Sequence, residues 1–243
     1  MLQSERMAQS SLFVPARHDQ LELLDSGLGS PADVAANLSE MWRINRDLGG
    51  FRALTHHLHP RLIAVKNPIT VADLGAGSAD IPLALTRWAR TRGLQLRLFA
   101  LDWAERCLAV ARTRVREAPE ISLLQADAGH LPLPLEGVDF IISSLFLHHL
   151  PPDLAVEALR RAFAHARRGI VMSDLVRGWL PYIAFKLIQP LFARNRLTRH
   201  DGALSIRRAY TPNELRELAA AAGLPNAKVY THWPWRMTLV VDK

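Results

Sequence analysis

The chain has 243 residues, 49% hydrophobic and 22% charged, which suits a packed globular domain and excludes global disorder and collagen-like or repeat architectures. A single cysteine, Cys107, excludes a disulfide framework and a cysteine-based zinc cluster within one chain. The formal charge of +7 brings nucleic acid or an acidic surface into consideration, but the basic residues are almost all arginines spread along the chain. The opening MLQSERMAQS is polar and holds no apolar core of a secretory signal, so cytoplasm is the default compartment. Residues 1 to about 30 are weakly patterned, with Pro15, Gly27 and Gly29 as breakers, and read as a frayed start. Ser30-Pro31 is a helix start, and Val34, Leu38, Met41, Trp42 and Leu48 recur at helical spacing up to Gly49-Gly50. Phe51, Leu54, Leu58 and Leu62 continue as a second amphipathic helix toward Asn67-Pro68. Residues 1–67 are therefore read as a tail and cap helices ahead of a core domain at 68–243.

At Ile69 the helical period gives way to a continuous apolar, β-branched run. Strands are predicted at 69–74, 95–101, 121–126, 138–143 and 168–174, alternating with helices at 79–91, 103–117 and 152–166. Such alternation implies a parallel sheet covered on both faces, a doubly wound α/β fold that binds its ligands at the carboxyl ends of the strands. Residues 177–208 interrupt the pattern as an insertion, apolar from Gly178 to Ala193 and then basic. The apolar part reads as a helix over the core or a lid; it is too short for a membrane span and Lys186 interrupts it. The arginines from 194 to 208 read as a solvated face. Thr211-Pro212-Asn213-Glu214 starts another helix, and strands near 226–232 and 236–242 close the chain as an antiparallel hairpin.

Four strand ends carry the chemistry. Asp73-Leu74-Gly75-Ala76-Gly77 lets backbone approach a ligand closely, but Asp80 stands where a dinucleotide loop needs its third glycine. Asp73 would repel a pyrophosphate, so the loop suits a ligand with positive charge, such as S-adenosylmethionine. Asp102 after the second strand can accept from both ribose hydroxyls or cap the next helix, and Trp103 can stack on adenine. Asp127 can accept from an adenine amino group or close a turn. Ser143 and Ser144 end the fourth strand, and His148 and His149 follow it.

Through VADLGAGSADIP (71–82), ALDWAERCLAVAR (100–112), LLQADAGHLPLP (123–134) and VDFIISSLFLHHL (138–150), the chain resembles class I S-adenosylmethionine-dependent methyltransferases. The resemblance implies a Rossmann-like seven-stranded sheet, mostly parallel with an antiparallel C-terminal strand. It also implies a cofactor site of Asp73, Gly75, Gly77, Asp102, Trp103, Asp127, Ala128 and Ser144, with no metal. Ala79 departs from the many members that have a third glycine there. SSLFLHHL is similar to segments of quinone-pathway methyltransferases and of a bacterial group associated with type III polyketide synthases. RINRDLGG (43–50) and His200-Asp201-Gly202 also resemble the latter.

These resemblances imply methylation of a small apolar phenol, quinone or polyketide-like acceptor, with O-methylation preferred. C-methylation of a quinone precursor, an RNA acceptor and a non-catalytic cofactor-binding module are the alternatives. Ser143-Ser144-Leu145-Phe146 lacks the Asn/Asp-Pro-Pro-aromatic pattern of exocyclic amino methylation, so nucleic acid ranks below a small molecule. His148 or His149, with His148 preferred, is the expected base for a phenolic proton, with packing or capping as the rival role for both. Residues 31–66 and 177–208 are expected to close together over the acceptor. A homodimer is left open.

Overall fold

The computed structural model describes residues 14–66 and 68–243; the first 13 residues and the expected break at Asn67 lie outside them. Helix α1 (Pro31–Asp47) begins with a capping box in which Asp33 N donates to Ser30 Oγ at 3.2 Å and Ser30 N to Asp33 Oδ2 at 3.0 Å. Gly49 turns the chain at φ +80°, a left-handed conformation that glycine adopts without a Cβ clash, and α2 (Gly50–Ile63) follows. Leu54, Leu58 and Leu62 of α2 are fully buried against Ile69, Val71 and Phe140. This helix therefore covers one face of the sheet.

The predicted alternation then unrolls. It runs β1 (Ile69–Leu74), α3 (Asp80–Arg90), β2 (Leu96–Asp102), α4 (Glu105–Arg114), β3 (Ile121–Gln125), β4 (Val138–Ser144), α5 (Pro152–His165) and β5 (Ala166–Leu175). Next come α6 (Trp179–Phe192), α7 (Arg196–Arg208), α8 (Pro212–Ala221), β6 (Lys228–His232) and β7 (Arg236–Asp242). The seven strands are ordered β3-β2-β1-β4-β5-β7-β6, with β1 to β5 parallel and β7 antiparallel to both β5 and β6. The last strand thus slots between β5 and β6, and β6 takes the edge. All seven β4 residues are buried, as a central strand covered on both faces requires. The sheet order reverses between β1 and β4, and that switch point is where doubly wound folds place their ligands.

Three expectations change. Residues 14–29 are not frayed where described. Arg17 donates to the carbonyls of Arg208, His148 and Leu150, and the backbone N–H groups of Leu23 and Leu24 donate to Asp201. This strap has no helical or strand period to read because side-chain to backbone bonds hold it. The basic segment is also not simply a solvated face. Arg194, Arg196 and Arg199 are exposed, but Arg208 is buried and its guanidinium donates to carbonyls of Gln20, His148 and His149. Finally, α6 covers the core along one edge only. Pro181, Phe185 and Gln189 are buried, whereas Leu180, Ile183, Leu187 and Leu191 stay 51–76% exposed. Among the described residues no helix is long and apolar enough to cross a membrane.

Candidate active site

The ends of β1, β2, β3 and β4 lie along one edge of the parallel sheet, with the switch point between β1 and β4. Leu74 is followed by Gly75 at φ +68° and Gly77 at φ +55°, and a Cβ on Gly75 would come within 2.5 Å of the Phe146 ring. Ala79 also takes a left-handed backbone at φ +59°, which explains why a glycine suits that place; alanine there costs roughly 1–2 kcal/mol of strain. Asp102 Oδ2 accepts from Gly77 N at 2.8 Å, and Oδ1 accepts from Ala104 N at 2.9 Å. One carboxylate thus fixes the glycine loop and caps α4, leaving further lone pairs for a ligand. Both of the roles weighed for it are compatible.

Asp73 is 1% exposed and neither of its carboxylate oxygens has a hydrogen-bond partner. Burial, reinforced by Asp102, raises its pKa well above the ordinary carboxylate range. An orphaned buried carboxylate needs a cationic partner. Trp103 is 69% exposed, and Asp127 closes a turn by accepting from Gly129 N at 2.8 Å, with Ala128 half-buried. Ser144 Oγ accepts from Nδ2 of Asn45 at 3.1 Å, and Asn45 Oδ1 is a second buried atom without a partner. Asn45 lies in the RINRDLGG segment, but no period distinguished it as a site residue.

The two histidines part company. His148 is fully buried; its Nδ1 lies 2.7 Å from Asp174 Oδ1, its backbone N donates to Asp174 Oδ2 at 3.0 Å, and Nε2 lies 3.6 Å from Glu22 Oε1. Burial alone would lower its pKa, but Asp174 and Glu22 overcome that and raise it to about 9. The ring is charged at neutral pH, which reverses the expected preference for His148 as the proton acceptor. His149 keeps a 25% exposed side chain, with Nδ1 2.8 Å from Asp25 and Nε2 4.0 Å from Glu22. Glu22, also hydrogen-bonded by Ser205 Oγ at 2.6 Å, is lowered to about 2: burial opposes this, and His149 and His148 outweigh it. Glu22, His148 and His149 bring ligand atoms within 4.8 Å of one another. A histidine held protonated is a poor metal ligand, so the group reads as an ion-pair network. Sequence reasoning missed Glu22, Asp25 and Asp174, which are unremarkable acids until the fold gathers them.

Beside this network an apolar cavity opens among Met41 and Ile44 of α1, Phe185 and Ile188 of α6, Ile206 of α7 and Trp235 of the terminal hairpin. Leu145 and Trp235, at φ +56° and +48°, both line it, so two non-glycine residues are held in left-handed backbone at its wall. Neither histidine lines it. Cys107 is buried on α4 as a free thiol.

The sequence family described as "Methyltransferase domain" matches residues 71–169, the stretch that holds all four strand ends. Residues 71–169 carry a methyltransferase domain. Demethylmenaquinone methyltransferase of Lysinibacillus sphaericus is 25% identical over 138 residues, covering 54% of this chain and 58% of that relative. The chain therefore spans less than two thirds of this relative's length. Among solved structures, a SAM-dependent methyltransferase from Aquifex aeolicus superposes with a TM-score of 0.58 at 16% identity, over 88% of this chain and 99% of the other. Magnesium protoporphyrin IX methyltransferase from Synechocystis, with bound SAH, gives 0.57 at 17% identity over 86% and 94%. At these identities the structural likeness establishes the fold. The comparisons support S-adenosylmethionine as the methyltransferase domain's cofactor, and the orphaned Asp73 fits a ligand carrying ammonium and sulfonium charges.

Proposed function

We propose that the protein transfers a methyl group from S-adenosylmethionine to a small, largely apolar acceptor, by preference to a phenolic or enolic oxygen. The observation that carries this reading is an unpartnered buried carboxylate, Asp73, at the switch point beside an apolar cavity. Asp73 and Asn45 would hold the cofactor's amino acid end near Ser144, Asp102 its ribose, and Trp103, Asp127 and Ala128 its adenine. When bound, the cofactor supplies an electrophilic methyl carbon on a sulfonium. The chain's task is then to align the acceptor oxygen and exclude water. Helices α1, α6 and α7 do so as walls of the cavity, and the name of the Lysinibacillus relative favours a quinone-like acceptor. C-methylation remains the alternative for such an acceptor.

Mass spectrometry of reactions with labelled cofactor and a panel of phenols, quinones and polyketide-like acceptors tests the reading. Label transfer to one class supports it; tight cofactor binding without transfer to any panel member overturns it. Deleting residues 178–193 removes most of α6 and is expected to abolish turnover while calorimetry still detects cofactor binding. Retained turnover in that variant would show that α6 does not close the site.

His149, the histidine with a partly exposed ring, is the proposed base to test; Asp25 and Glu22 flank and orient its ring, which stands outside the lining of the apolar cavity. His148 is a positioning residue held by Asp174. General-base assistance typically contributes about 10²–10⁴-fold. His149→Ala is therefore expected to lose turnover by that order at pH 7 and saturating acceptor. It should recover as pH approaches about 10, where a phenol ionises unaided. A loss that stays constant with pH would assign the rate to alignment alone.

A further inference from the structure

Three buried arginines surround the acceptor side of the sheet, and two of them are fully engaged. Arg177 donates to the carbonyls of Pro15 and Ala209 and to Glu214. Arg208 donates to three backbone carbonyls. Arg236, the first residue of β7, is different. It is 3% exposed, its Nε donates to Leu48 O at 3.2 Å, and its Nη1 is buried without a hydrogen-bond partner.

The nearest carboxylate does not satisfy it. Asp174 lies within electrostatic range of Arg236, but its oxygens accept from His148 and from the backbone N of Leu175. Burial lowers the guanidinium to about 10, partly offset by Asp174, so it stays charged at neutral pH. Maintaining a desolvated cation without a hydrogen-bonded counter-charge is strongly unfavourable. Arg236 is also the one charged residue lining the apolar cavity among the described residues. The hydroxyl of Ser205, on the same wall, is already committed to Glu22 and the Asp201 carbonyl.

We propose that Arg236 is the anchor for an acidic oxygen of the acceptor, a carboxylate or an enolate conjugated to its ring, while the apolar walls take the hydrocarbon. The proposal rests on the reading of this cavity as the acceptor site. It narrows the acceptor from apolar phenols in general to those bearing an anionic oxygen beside the ring. The planar guanidinium suits such a group, since it can present two parallel donors to it.

Equilibrium binding of 3-hydroxy-2-naphthoate and 2-naphthol to the protein saturated with S-adenosylhomocysteine tests this at pH 7. The two probes share a ring and a hydroxyl and differ in the carboxylate. Wild-type protein is expected to bind the naphthoate about 10–100-fold more tightly. Arg236→Met should reduce that preference to near unity, and Arg236→Lys should keep a few-fold of it, because the charge remains and the fork is lost. Unchanged affinity for S-adenosylhomocysteine in each variant shows that the core is folded. If Arg236→Met does not fold, the Arg236→Lys ratio decides: an undiminished preference there overturns the proposal. A wild-type protein without preference overturns it too, as does an Arg236→Met variant that keeps the preference. Failure of both probes to bind refutes the anchor, whereas tight S-adenosylhomocysteine binding in that same sample leaves the methyltransferase reading standing.

Discussion

Alanine at position 102 is expected to weaken the binding of S-adenosylmethionine and S-adenosylhomocysteine by about 10²–10⁴-fold, measured by calorimetry. The carboxylate already accepts from Gly77 N and Ala104 N, so it is fixed in place before any ligand arrives. Two ribose hydroxyls would then donate to an ionised acceptor that needs no reorganisation, each such bond contributing about 1.5–3 kcal/mol. Burial raises the Asp102 pKa, opposed by its two backbone donors. Cofactor affinity should therefore fall as acid protonates it, with the loss setting in above the ordinary carboxylate range. Asp102→Asn keeps one acceptor oxygen and should fall between the two. Undiminished affinity in Asp102→Ala would remove the ribose role and leave the residue only as an anchor of the loop and a cap of α4.

Replacing His148 by alanine should cost about 3–5 kcal/mol of folding stability, because it leaves Asp174 and Glu22 buried without their shared cation. For a domain of this size that corresponds to a fall of roughly 6–20 °C in Tm. The pH dependence has a definite sign. His148 is raised from 6.5 to about 9, so its contribution is complete below pH 6.5 and is lost as pH rises through 9. Glu22 is lowered from 4.5 to about 2, so its contribution is complete above pH 4.5 and is lost as pH falls through 2. The network is therefore strongest between pH 4.5 and 6.5. Denaturant melts of wild type should show stability declining from pH 6.5 toward 9, and His148→Ala should flatten that decline. A variant whose alkaline decline matches wild type would show that another group causes it.

These two residues also mark how much of the protein was legible in the chain. Asp102 could be read because its place in the chain is marked locally, by the helix whose Ala104 N it caps, while its second partner, Gly77 N, comes from the loop after β1. A strand that ends in apolar residues, an acid at its carboxyl end and a helix start directly after it place the side chain at the sheet's ligand edge. The same holds for Asp73 and its glycines, and for the Thr211 capping box, where Glu214 N donates to Thr211 Oγ1 at 3.2 Å. Strand and helix positions followed equally well, since side-chain period and turn residues are properties of neighbours in the chain.

What the tertiary structure alone decided is the state of groups whose surroundings come from afar. Two adjacent histidines look alike in the sequence. Folding buries one between Asp174 on β5 and Glu22 on the N-terminal strap, and leaves the other partly exposed beside Asp25. The strap itself carries no period, so its role in building the site stayed hidden. Arg208 and Arg236 likewise read as ordinary members of an arginine-rich chain. Whether an arginine is solvated, bonded to carbonyls or left with an unpartnered nitrogen beside an apolar cavity depends on desolvation and on which donors and acceptors the fold brings within reach. Local pattern determined the scaffold and the carboxyl edge of the sheet. Long-range packing determined charge, exposure and the apolar cavity, because electrostatic energy in a protein interior is set by everything that surrounds a group, not by its neighbours along the chain.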